Sequence, residues 1–457
     1  MAENKELVKG LGLFGATSVS AGTMIGTAIF VVPSVMLREV GSPWMVLGVW
    51  AFAGILSLFG AMGYAELGAA IPEAGGEYVY LRRAYGPPLA FLYGWTEFIV
   101  AKSGSIAAIA TGFALYLAYF FPALTAPVWR MRLGGSGFSL GLSGIQVVAA
   151  AMILFLSVVN IFGVRGSGAL QTTFTAAKLA VLAVLIIFGI LLGHGSFANL
   201  RAAAGGPVHG GIIAAFGLAT VSALWGYDGW NNLSMVAGEV KNPQRNLVLG
   251  LVAGTILVGA VYILANIAYF YVLPSAVALK TNTIAADAAR SFMGTAGGAF
   301  IAVGVLVSTF ATLNGSILSG SRVPYAQARD GLFPKALARV HPRFRTPVAA
   351  IAAQAVVAVL LALSGTYETL YTKVIFSEFL FYALVTAGLF ILRRNEPSLP
   401  RPYRTWGYPV VPAVFVILAA LLLINTFREQ RTDSLWGLAL VGSGVPAYLL
   451  WKWWRRR

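Results

Sequence analysis

The chain has 457 residues, of which 58% are hydrophobic and only 11% are charged, and its mean hydropathy is +0.79. A soluble protein of this length needs more charged surface, so the composition excludes an ordinary soluble domain and favours a protein that lipid solvates. The formal net charge of +16 would suit nucleic-acid binding. However, Lys and Arg are scattered between long apolar runs, as in the cytoplasmic loops of membrane proteins, so no nucleic-acid partner is expected.

Twelve apolar runs predict membrane-spanning helices, because a helical span needs about 20 apolar residues. These runs are too long and too uniformly apolar for the strands of a closed barrel. The predicted spans are residues 12–37, 44–70, 87–121, 143–163, 168–193, 211–237, 247–273, 296–322, 347–364, 370–392, 409–427 and 434–454. The sequence therefore predicts an all-α membrane protein with twelve transmembrane helices.

The basic loops predict the orientation of the spans. If the N-terminus lies inside, the cytoplasmic loops hold most of the Lys and Arg residues, among them Arg82, Arg83, Arg393 and Arg394. This bias predicts a multi-pass protein of the cell (inner) membrane with both termini in the cytoplasm. The C-terminal residues 451–455 are aromatic and then basic, which is typical of an interfacial anchor.

The residues that most enzymes use are scarce. The chain has three histidines, all in predicted loops, and no cysteine. It shows no metal-ligand spacing, no nucleophile–base pair and no Walker lysine motif. We therefore expect neither an enzyme nor an ATP-driven pump, and no metal or cofactor. The lack of cysteine also excludes a disulfide-linked partner subunit.

Two predicted spans carry glycine and polar residues near mid-membrane. They are residues 20–30 (SAGTMIGTAIF) in span 1 and residues 225–232 (WGYDGWNN) in span 6. Glycine is a poor helix former, and unwound backbone persists at membrane depth only where it lines protein or a wet cavity. Paired interruptions in corresponding spans indicate a transporter binding site.

An unwound segment offers free backbone groups to a ligand. The amides at the start of the following half-helix suit a carboxylate, and the free carbonyls suit an ammonium group. The alternative interpretation is that Gly22, Gly26, Gly226 and Gly229 only allow close helix packing. A channel or a receptor is the rival class. Channels usually show repeated filter loops in a symmetric oligomer, and this sequence shows one asymmetric pair of breaks.

Six motifs in chain order resemble those of a known family. They are residues 24–30 (MIGTAIF), 64–67 (YAEL), 75–78 (GGEY), 174–179 (FTAAKL), 239–246 (EVKNPQRN) and 321–334, which ends in RDGLFP. At these positions the chain resembles the amino acid–polyamine–organocation superfamily, and within it the prokaryotic L-type amino acid transporter branch. The resemblance covers nearly the whole chain.

This resemblance implies a single transporter domain over residues 1–457 with a LeuT-like fold. Residues 10–195 and 210–393 would form two inverted five-helix repeats, in which helices 1 and 6 are broken, and residues 409–454 would form two further helices. The substrate site would lie between spans 1, 3, 6, 8 and 10 and would work by alternating access. Ala28 departs from the usual glycine. Its methyl group would narrow the pocket, which favours a smaller substrate or one whose carboxylate binds differently. A decarboxylated amine such as a polyamine is a further alternative.

The residues expected to bind substrate lie on the two breaks and on span 10. They are Met24, Ile25, Gly26, Thr27, Ala28, Trp225, Gly226, Tyr227, Asp228, Asn231 and Glu378. Trp225 is the expected lid over the pocket. Asp228 would either attract a cationic side chain or cap the following half-helix. Glu378 would either carry a coupling proton or serve as a structural hydrogen-bond partner. In span 3, Lys102 is a weaker candidate for the pathway.

Lys178 is the main coupling candidate. The resemblance implies that its ammonium group takes the place of a sodium ion found in sodium-coupled relatives. It would then bridge the carbonyls near Gly22 and Thr23 to Ser308 and Thr309 of span 8. The alternative is a lysine that snorkels to the interface.

The sequence thus predicts a sodium-independent exchanger or facilitator of neutral amino acids, with cationic amino acids as a further substrate class. The alternative is a proton-coupled symporter of amino acids or polyamines, in which Glu378 or Lys178 carries the proton. We expect membrane lipid to surround the protein. A channel or receptor remains the alternative from a different class.

Overall fold

The computed structural model describes residues 10–73, 75–132, 139–162, 167–205, 210–344 and 346–454. The predicted cytoplasmic termini concern residues 1–9 and 455–457, which lie outside the described residues. In the first part of the chain the helices are α1 (Leu13–Met24), α2 (Ala28–Val40), α3 (Pro43–Ala70), α4 (Glu77–Tyr85), α5 (Pro87–Thr96), α6 (Lys102–Leu117), α7 (Gly144–Phe162), α8 (Ser167–Leu191) and α9 (Ala198–Arg201). A π-helical turn, Glu97–Ala101, joins α5 to α6.

The second part of the chain is also helical. Its helices are α10 (Ile212–Tyr227), α11 (Asn232–Met235), α12 (Pro243–Val272), α13 (Ser275–Ala278), α14 (Ile284–Gly320), α15 (Arg322–Arg329), α16 (Val348–Ser364), α17 (Tyr367–Asn395), α18 (Val410–Glu429), α19 (Arg431–Gly442) and α20 (Gly444–Trp454). Short 3₁₀ turns cover Pro122–Thr125, Ala237–Glu239 and Lys335–Ala338.

One element departs from the all-α prediction. Strands β1 (Pro127–Arg132) and β2 (Ser139–Ser143) form an antiparallel hairpin between α6 and α7. A hairpin pairs its own backbone groups and needs no apolar run of membrane length, so the search for long apolar runs passed over it.

The apolar helices confirm the membrane class. Among the described residues, nine helices are long and apolar enough to cross a bilayer, and the bent pair of α1 and α2 adds a tenth. Helices α10 and α16 are apolar but shorter, and they coincide with predicted spans 6 and 9. The count of twelve spans stays a prediction.

The first interruption separates α1 from α2 by a bend of 42°. Helix α1 ends at Met24, and Ile25 has a non-helical ψ of 84°. The Gly26 amide then donates to the Met24 carbonyl at 2.8 Å, which closes a tight turn before α2 begins at Ala28. The backbone is therefore unwound at residues 25–27, inside the segment that the sequence predicted.

The second interruption begins later than expected. Helix α10 continues through Gly226 and Tyr227 and ends where Asp228 becomes extended. A Cβ atom on Gly226 would lie 2.6 Å from the Trp50 ring, so this glycine allows close packing, as the alternative interpretation holds. Gly229 has a φ of +108°, a left-handed value that favours glycine, and it lies within the break.

The two breaks face each other in the centre of the bundle. The Thr23 hydroxyl donates to the Gly229 carbonyl at 2.8 Å. On the other side of the breaks, the Tyr262 hydroxyl of α12 lies 2.8 Å from the Met24 carbonyl oxygen and 2.9 Å from that of Gly226. Carbonyls at the end of a helix lack intrahelical donors. Tyr262 therefore stabilises the ends of α1 and α10 with one side chain.

Candidate functional site between the two helix breaks

A small cavity lies between the two interrupted segments. Its volume is about 30 Å³, which is room for about two water-sized groups. Both breaks line it, together with one face each of α6 and α14. An amino acid is larger than this, so the walls must part for one to bind.

Most of the predicted residues on span 1 line this cavity. From the predicted set, the lining residues are Thr23, Met24, Gly26, Thr27, Ala28, Trp225 and Asp228. Helix α2 begins at Ala28, and the first amides of a helix have no intrahelical acceptor. The cavity therefore meets the N-terminus of α2, where anions are stabilised by backbone donors.

Other wall residues were not predicted as substrate contacts. They are Lys102, Ser105, Ile109, Gly229, Asn232, Thr312 and Ser316. Lys102, Ser105 and Ile109 lie on one face of α6, at spacings of three and four residues. Ser308, Thr312 and Ser316 are likewise spaced by four along α14. Polar residues repeated at i, i+4 in an apolar helix are the signal that could have revealed the α14 wall.

Several predicted contacts lie behind the cavity wall. Tyr227 is 1% exposed, and its hydroxyl donates to the Trp50 carbonyl at 3.1 Å, so it packs against α3. Asn231 is fully buried, and its amide donates to a Glu77 carboxyl oxygen at 2.6 Å. Like Gly226, these residues contact neighbouring helices on the side of the segment that faces away from the cavity. Polarity within the motif predicted a substrate contact, but the direction of each side chain depends on neighbours distant in sequence.

Lys178 of α8 is buried, with 2% of its surface exposed. Its ammonium nitrogen donates to the carbonyl of Gly22 at 2.8 Å, to the carbonyl of Ile25 at 3.0 Å and to the hydroxyl of Thr312 at 2.5 Å. An ammonium group has three hydrogens, so all three are used. The side chain thus ties the unwound end of α1 to α14.

The partners of Lys178 differ in part from the predicted ones. Ile25 supplies the second carbonyl, where the sequence pointed to Thr23. On α14 the partner is Thr312, one helical turn beyond the expected Ser308 and Thr309. The Ser308 hydroxyl donates to the Ile25 carbonyl at 3.5 Å, and the Thr309 hydroxyl bonds within its own helix to Val305. Ser308 therefore contacts the same carbonyl as Lys178.

Two tyrosines of α17 contact Trp225 behind the cavity wall. The Trp225 indole N–H donates to the Tyr367 hydroxyl at 2.9 Å, and the same hydroxyl lies 2.9 Å from the Thr27 hydroxyl oxygen. The Trp225 ring also stacks on Tyr371, with centroids 6.0 Å apart. Thus Tyr367, at the start of α17, links Thr27 of the first break to Trp225 in the last turn of α10.

Charged groups lie at and behind another part of the cavity wall. The Lys102 ammonium donates to the Asn232 side-chain oxygen at 2.9 Å, and both residues line the cavity. The Tyr382 hydroxyl lies 2.8 Å from an Asp228 carboxyl oxygen and also contacts the Glu378 carboxyl group. Glu378 itself is buried and is not among the lining residues. Glu378 is therefore connected to the cavity wall by Tyr382, which contacts both carboxyl groups.

The chain is similar over nearly all its length to known transporters. A family model described as amino acid permease matches residues 11–445. The human b(0,+)-type amino acid transporter 1 is 34% identical, over 97% of this chain and 88% of its own. The serine/threonine exchanger SteT of Bacillus subtilis (strain 168) is 34% identical, over 98% of this chain and 97% of its own length. The human large neutral amino acids transporter small subunit 2 is 32% identical, over 99% of this chain and 82% of its own length.

The matched region contains both breaks, the buried lysine and the cavity that they surround. These matches confirm the resemblance seen in the six sequence motifs. The chain belongs to the amino acid permease family, within the amino acid–polyamine–organocation superfamily.

Proposed function

We propose that this protein is a sodium-independent amino acid exchanger that works by alternating access. The observation that carries the proposal is the cavity between two facing helix breaks, with a helix N-terminus at its wall and a fully bonded lysine beneath it. The related proteins, whose names describe amino acid transporters and a serine/threonine exchanger, support the same substrate class. Neutral amino acids are the main substrates, and cationic amino acids are a further class.

The two charged ends of an amino acid fit different parts of the cavity wall. The carboxylate binds at the start of α2, where the amides of Thr27 and Ala28 serve as donors. The ammonium group binds on the side of the carbonyls and hydroxyls of the breaks. The side chain then points towards Trp225 and Ile109. Because the Ala28 methyl group occupies part of this space, small side chains such as that of serine fit best.

The position of Lys178 supports sodium independence. Its ammonium group already supplies one positive charge to the carbonyls of Gly22 and Ile25, which are hard oxygen ligands of the kind that a sodium ion would use. A cation bound at the same oxygens would meet a like charge at close range, which is unfavourable in a low-dielectric interior. Substrate exchange then proceeds without sodium.

The topology belongs to the same proposal. We place the chain in the cell membrane with twelve spans, and count α10 and α16 among them. Residues 10–195 and 210–393 form the two inverted repeats, which puts each break in the first helix of a repeat, and residues 409–454 add two helices. Both termini lie in the cytoplasm. Alternating access then amounts to a movement of the broken helices against the remaining helices.

Counterflow in proteoliposomes tests this proposal. The purified protein is reconstituted with unlabelled serine inside, and uptake of labelled serine is measured in sodium and in potassium buffers. We expect saturable uptake that internal serine stimulates and that does not change when potassium replaces sodium. Uptake that requires sodium would contradict the coupling proposal. Single-channel currents in a planar bilayer, without trans-stimulation, would show a channel.

A further inference from the structure

A pair of carboxyl groups lies at the cavity wall and directly behind it. Asp228 belongs to the second break and lines the cavity, while Glu378 belongs to α17 and is 2% exposed. Both carboxyl groups contact one phenol oxygen, that of Tyr382, at 2.8 Å in the case of Asp228. Two carboxyl groups thus share a single hydroxyl in the interior of the bundle.

The hydrogens in this arrangement indicate a shared proton. A phenol has one hydrogen. When Tyr382 donates it to Asp228, the contact with Glu378 becomes a hydrogen bond only if the glutamic acid supplies a hydrogen. The other oxygen of Glu378 is buried and has no hydrogen-bond partner among the described residues. That environment suits a neutral carboxylic acid better than a carboxylate, which needs several donors.

The surrounding charges favour the same protonation. Asp228, Glu378 and Tyr382 are faced by Glu77 of α4, Glu97 of the π turn, Lys102 of α6, Tyr64 of α3 and Tyr93 of α5. Among these, Lys102 is the one cation beside four carboxyl groups. Two nearby carboxylates in a low-dielectric site retain one proton between them, because like charges cannot both form there at low cost.

We propose that Asp228, Tyr382 and Glu378 form a binding site for one proton, and that a substrate's cationic side chain competes with this proton. When a side-chain ammonium group binds Asp228 from the cavity, the O–H bond of Glu378 breaks and the proton leaves to water on the side to which the cavity opens. The positive charge that enters replaces the positive charge that leaves. The net charge of the occupied site is therefore unchanged.

This competition determines which substrate class the carrier accepts. A neutral amino acid is carried while the pair keeps its proton, and a dibasic amino acid is carried when the pair has lost it. Exchange of one class for the other then moves a proton opposite to the dibasic amino acid. The inference rests on the proposed function for its transport consequence, but the shared proton itself does not.

Infrared spectroscopy of the purified protein tests the shared proton without any transport. At neutral pH we expect a carbonyl stretch of a protonated carboxylic acid that disappears in Glu378→Gln. Glu368→Gln is the matched control, because Glu368 has a half-exposed side chain paired with Arg38. It should leave the band unchanged. Asp228→Asn should also remove the band, because Glu378 then ionises beside an amide donor. A band that persists in both Glu378→Gln and Asp228→Asn would overturn the proposal.

Exchange measurements between about pH 5 and about pH 8 test the competition, because lysine and its analogues keep their side-chain charge over that range. In the wild type we expect the apparent KM for lysine to fall by up to about tenfold for each unit of rising pH, as one competing proton requires. The apparent KM for serine should not follow this trend. In Glu378→Gln the KM for lysine should be independent of pH.

The outcomes separate the two proposals. If wild-type lysine exchange has the same pH dependence as the Glu378→Gln variant, the competition is wrong, while the exchanger stands. If the wild type shows no trans-stimulated exchange of any amino acid, the proposed function is wrong, and the infrared band still decides whether the carboxyl pair holds a proton.

Discussion

The ammonium nitrogen of Lys178 lies 3.0 Å from the carbonyl oxygen of Ile25, the residue at which α1 stops being helical. This contact joins a residue of α8 to the unwound backbone at the edge of the cavity. Because Lys178 also bonds Gly22 and Thr312, it holds the end of α1, the break and α14 in one arrangement. A movement of any of these elements must change the lysine's contacts.

Replacing Lys178 with methionine should therefore abolish exchange. The substitution keeps an apolar chain of similar length but removes the ammonium donor from two carbonyls and one hydroxyl. The Ile25 carbonyl keeps the Ser308 hydroxyl as a donor, whereas the Gly22 carbonyl loses the lysine donor, at a cost of about 1–3 kcal/mol for a group left unsatisfied. Serine counterflow and the thermal unfolding temperature are the measurements. Lys241→Met, at an exposed position before α12, is the control and should retain both. Counterflow at the wild-type rate in Lys178→Met would contradict the role given to this lysine.

The methyl group of Ala28 should restrict the size of the substrate. Ala28→Gly restores the residue usual in the resembling family and removes one methyl group from the cavity wall. We expect larger neutral amino acids such as leucine to compete with labelled serine about tenfold better, in line with the 1–3 kcal/mol that one methylene is worth in a specificity pocket.

A glycine also weakens a helix, by up to about 1 kcal/mol, so that effect needs a control of its own. Ala149→Gly lies in α7 at a fully buried position away from the cavity. Ala149→Gly should lower the unfolding temperature by about as much as Ala28→Gly does. It should leave the order in which amino acids compete with labelled serine unchanged. An identical competition profile for Ala28→Gly and the wild type would show that the methyl group does not set substrate size.

Tyr367 should control the closure of the cavity. Tyr367→Phe removes the hydroxyl that joins Thr27 to Trp225 and leaves the aromatic packing in place. Since two polar groups lose their partner, we expect the apparent KM for serine to rise about tenfold, which corresponds to about 1.4 kcal/mol.

Tyr371→Phe is the matched control for this prediction. It keeps the stacked ring against Trp225 and loses a hydrogen bond to Ser222, which lies outside the cavity wall. The apparent KM of this variant for serine should stay within about twofold of the wild-type value, because a single hydrogen bond away from the substrate contributes little to substrate binding. Equal effects of the two tyrosine variants would argue against a closing role for Tyr367.

The carboxyl group of Glu66 should matter for stability. It is 1% exposed and accepts bonds from Arg393 at 2.8 and 2.7 Å and from the Thr405 amide at 2.7 Å, which ties α3 to α17 and to the segment before α18. Glu66→Gln leaves a partly buried guanidinium without its counter-charge. We expect the free energy of unfolding to fall by about 3 kcal/mol, measured by thermal or denaturant unfolding in detergent.

An exposed ion pair at the end of α17 provides the comparison. Glu396 pairs with Arg83 at 2.6 Å, and the guanidinium bonds hold the pKa of the Glu396 carboxyl below its ordinary value. A lowered pKa in the folded state stabilises the protein above the unfolded pKa, and this contribution is lost as the pH falls through the folded pKa. Because both groups are partly exposed, Glu396→Gln should cost less than about 1 kcal/mol. A larger loss than in Glu66→Gln would contradict the ranking.

The sequence predicted the class of the protein, both breaks and the buried lysine, because each leaves a mark in composition. Glycine, hydroxyl and charged residues are rare at membrane depth, so Gly26, Lys178 and Asp228 stood out. The directions of individual side chains could not be predicted in the same way. Lipid and protein interiors are both apolar, so a hydrophobic pattern does not distinguish the inner face of a span from its outer face.

Gly226 and Asn231 illustrate this limit. Both belong to the polar segment of span 6, yet one packs on Trp50 and the other bonds to Glu77. These partners lie more than 150 positions away along the chain. Only the packed bundle determines that the cavity side of this segment is formed by Trp225, Asp228 and Asn232. The resemblance implied that spans 3 and 8, which are α6 and α14, line the site, but apart from Lys102 the individual lining residues on these two helices escaped prediction for the same reason.

The central claim is that an amino acid binds between the two helix breaks, and a cryo-electron microscopy map of the ligand-bound carrier tests it most directly. The ligand is the amino acid that most raises the unfolding temperature in a screen, since a molecule that binds the folded state stabilises it. We predict density that bridges residues 26–28 and Trp225, with the carboxylate at the start of α2. Ligand density elsewhere in the protein, with this cavity still closed, would contradict the account.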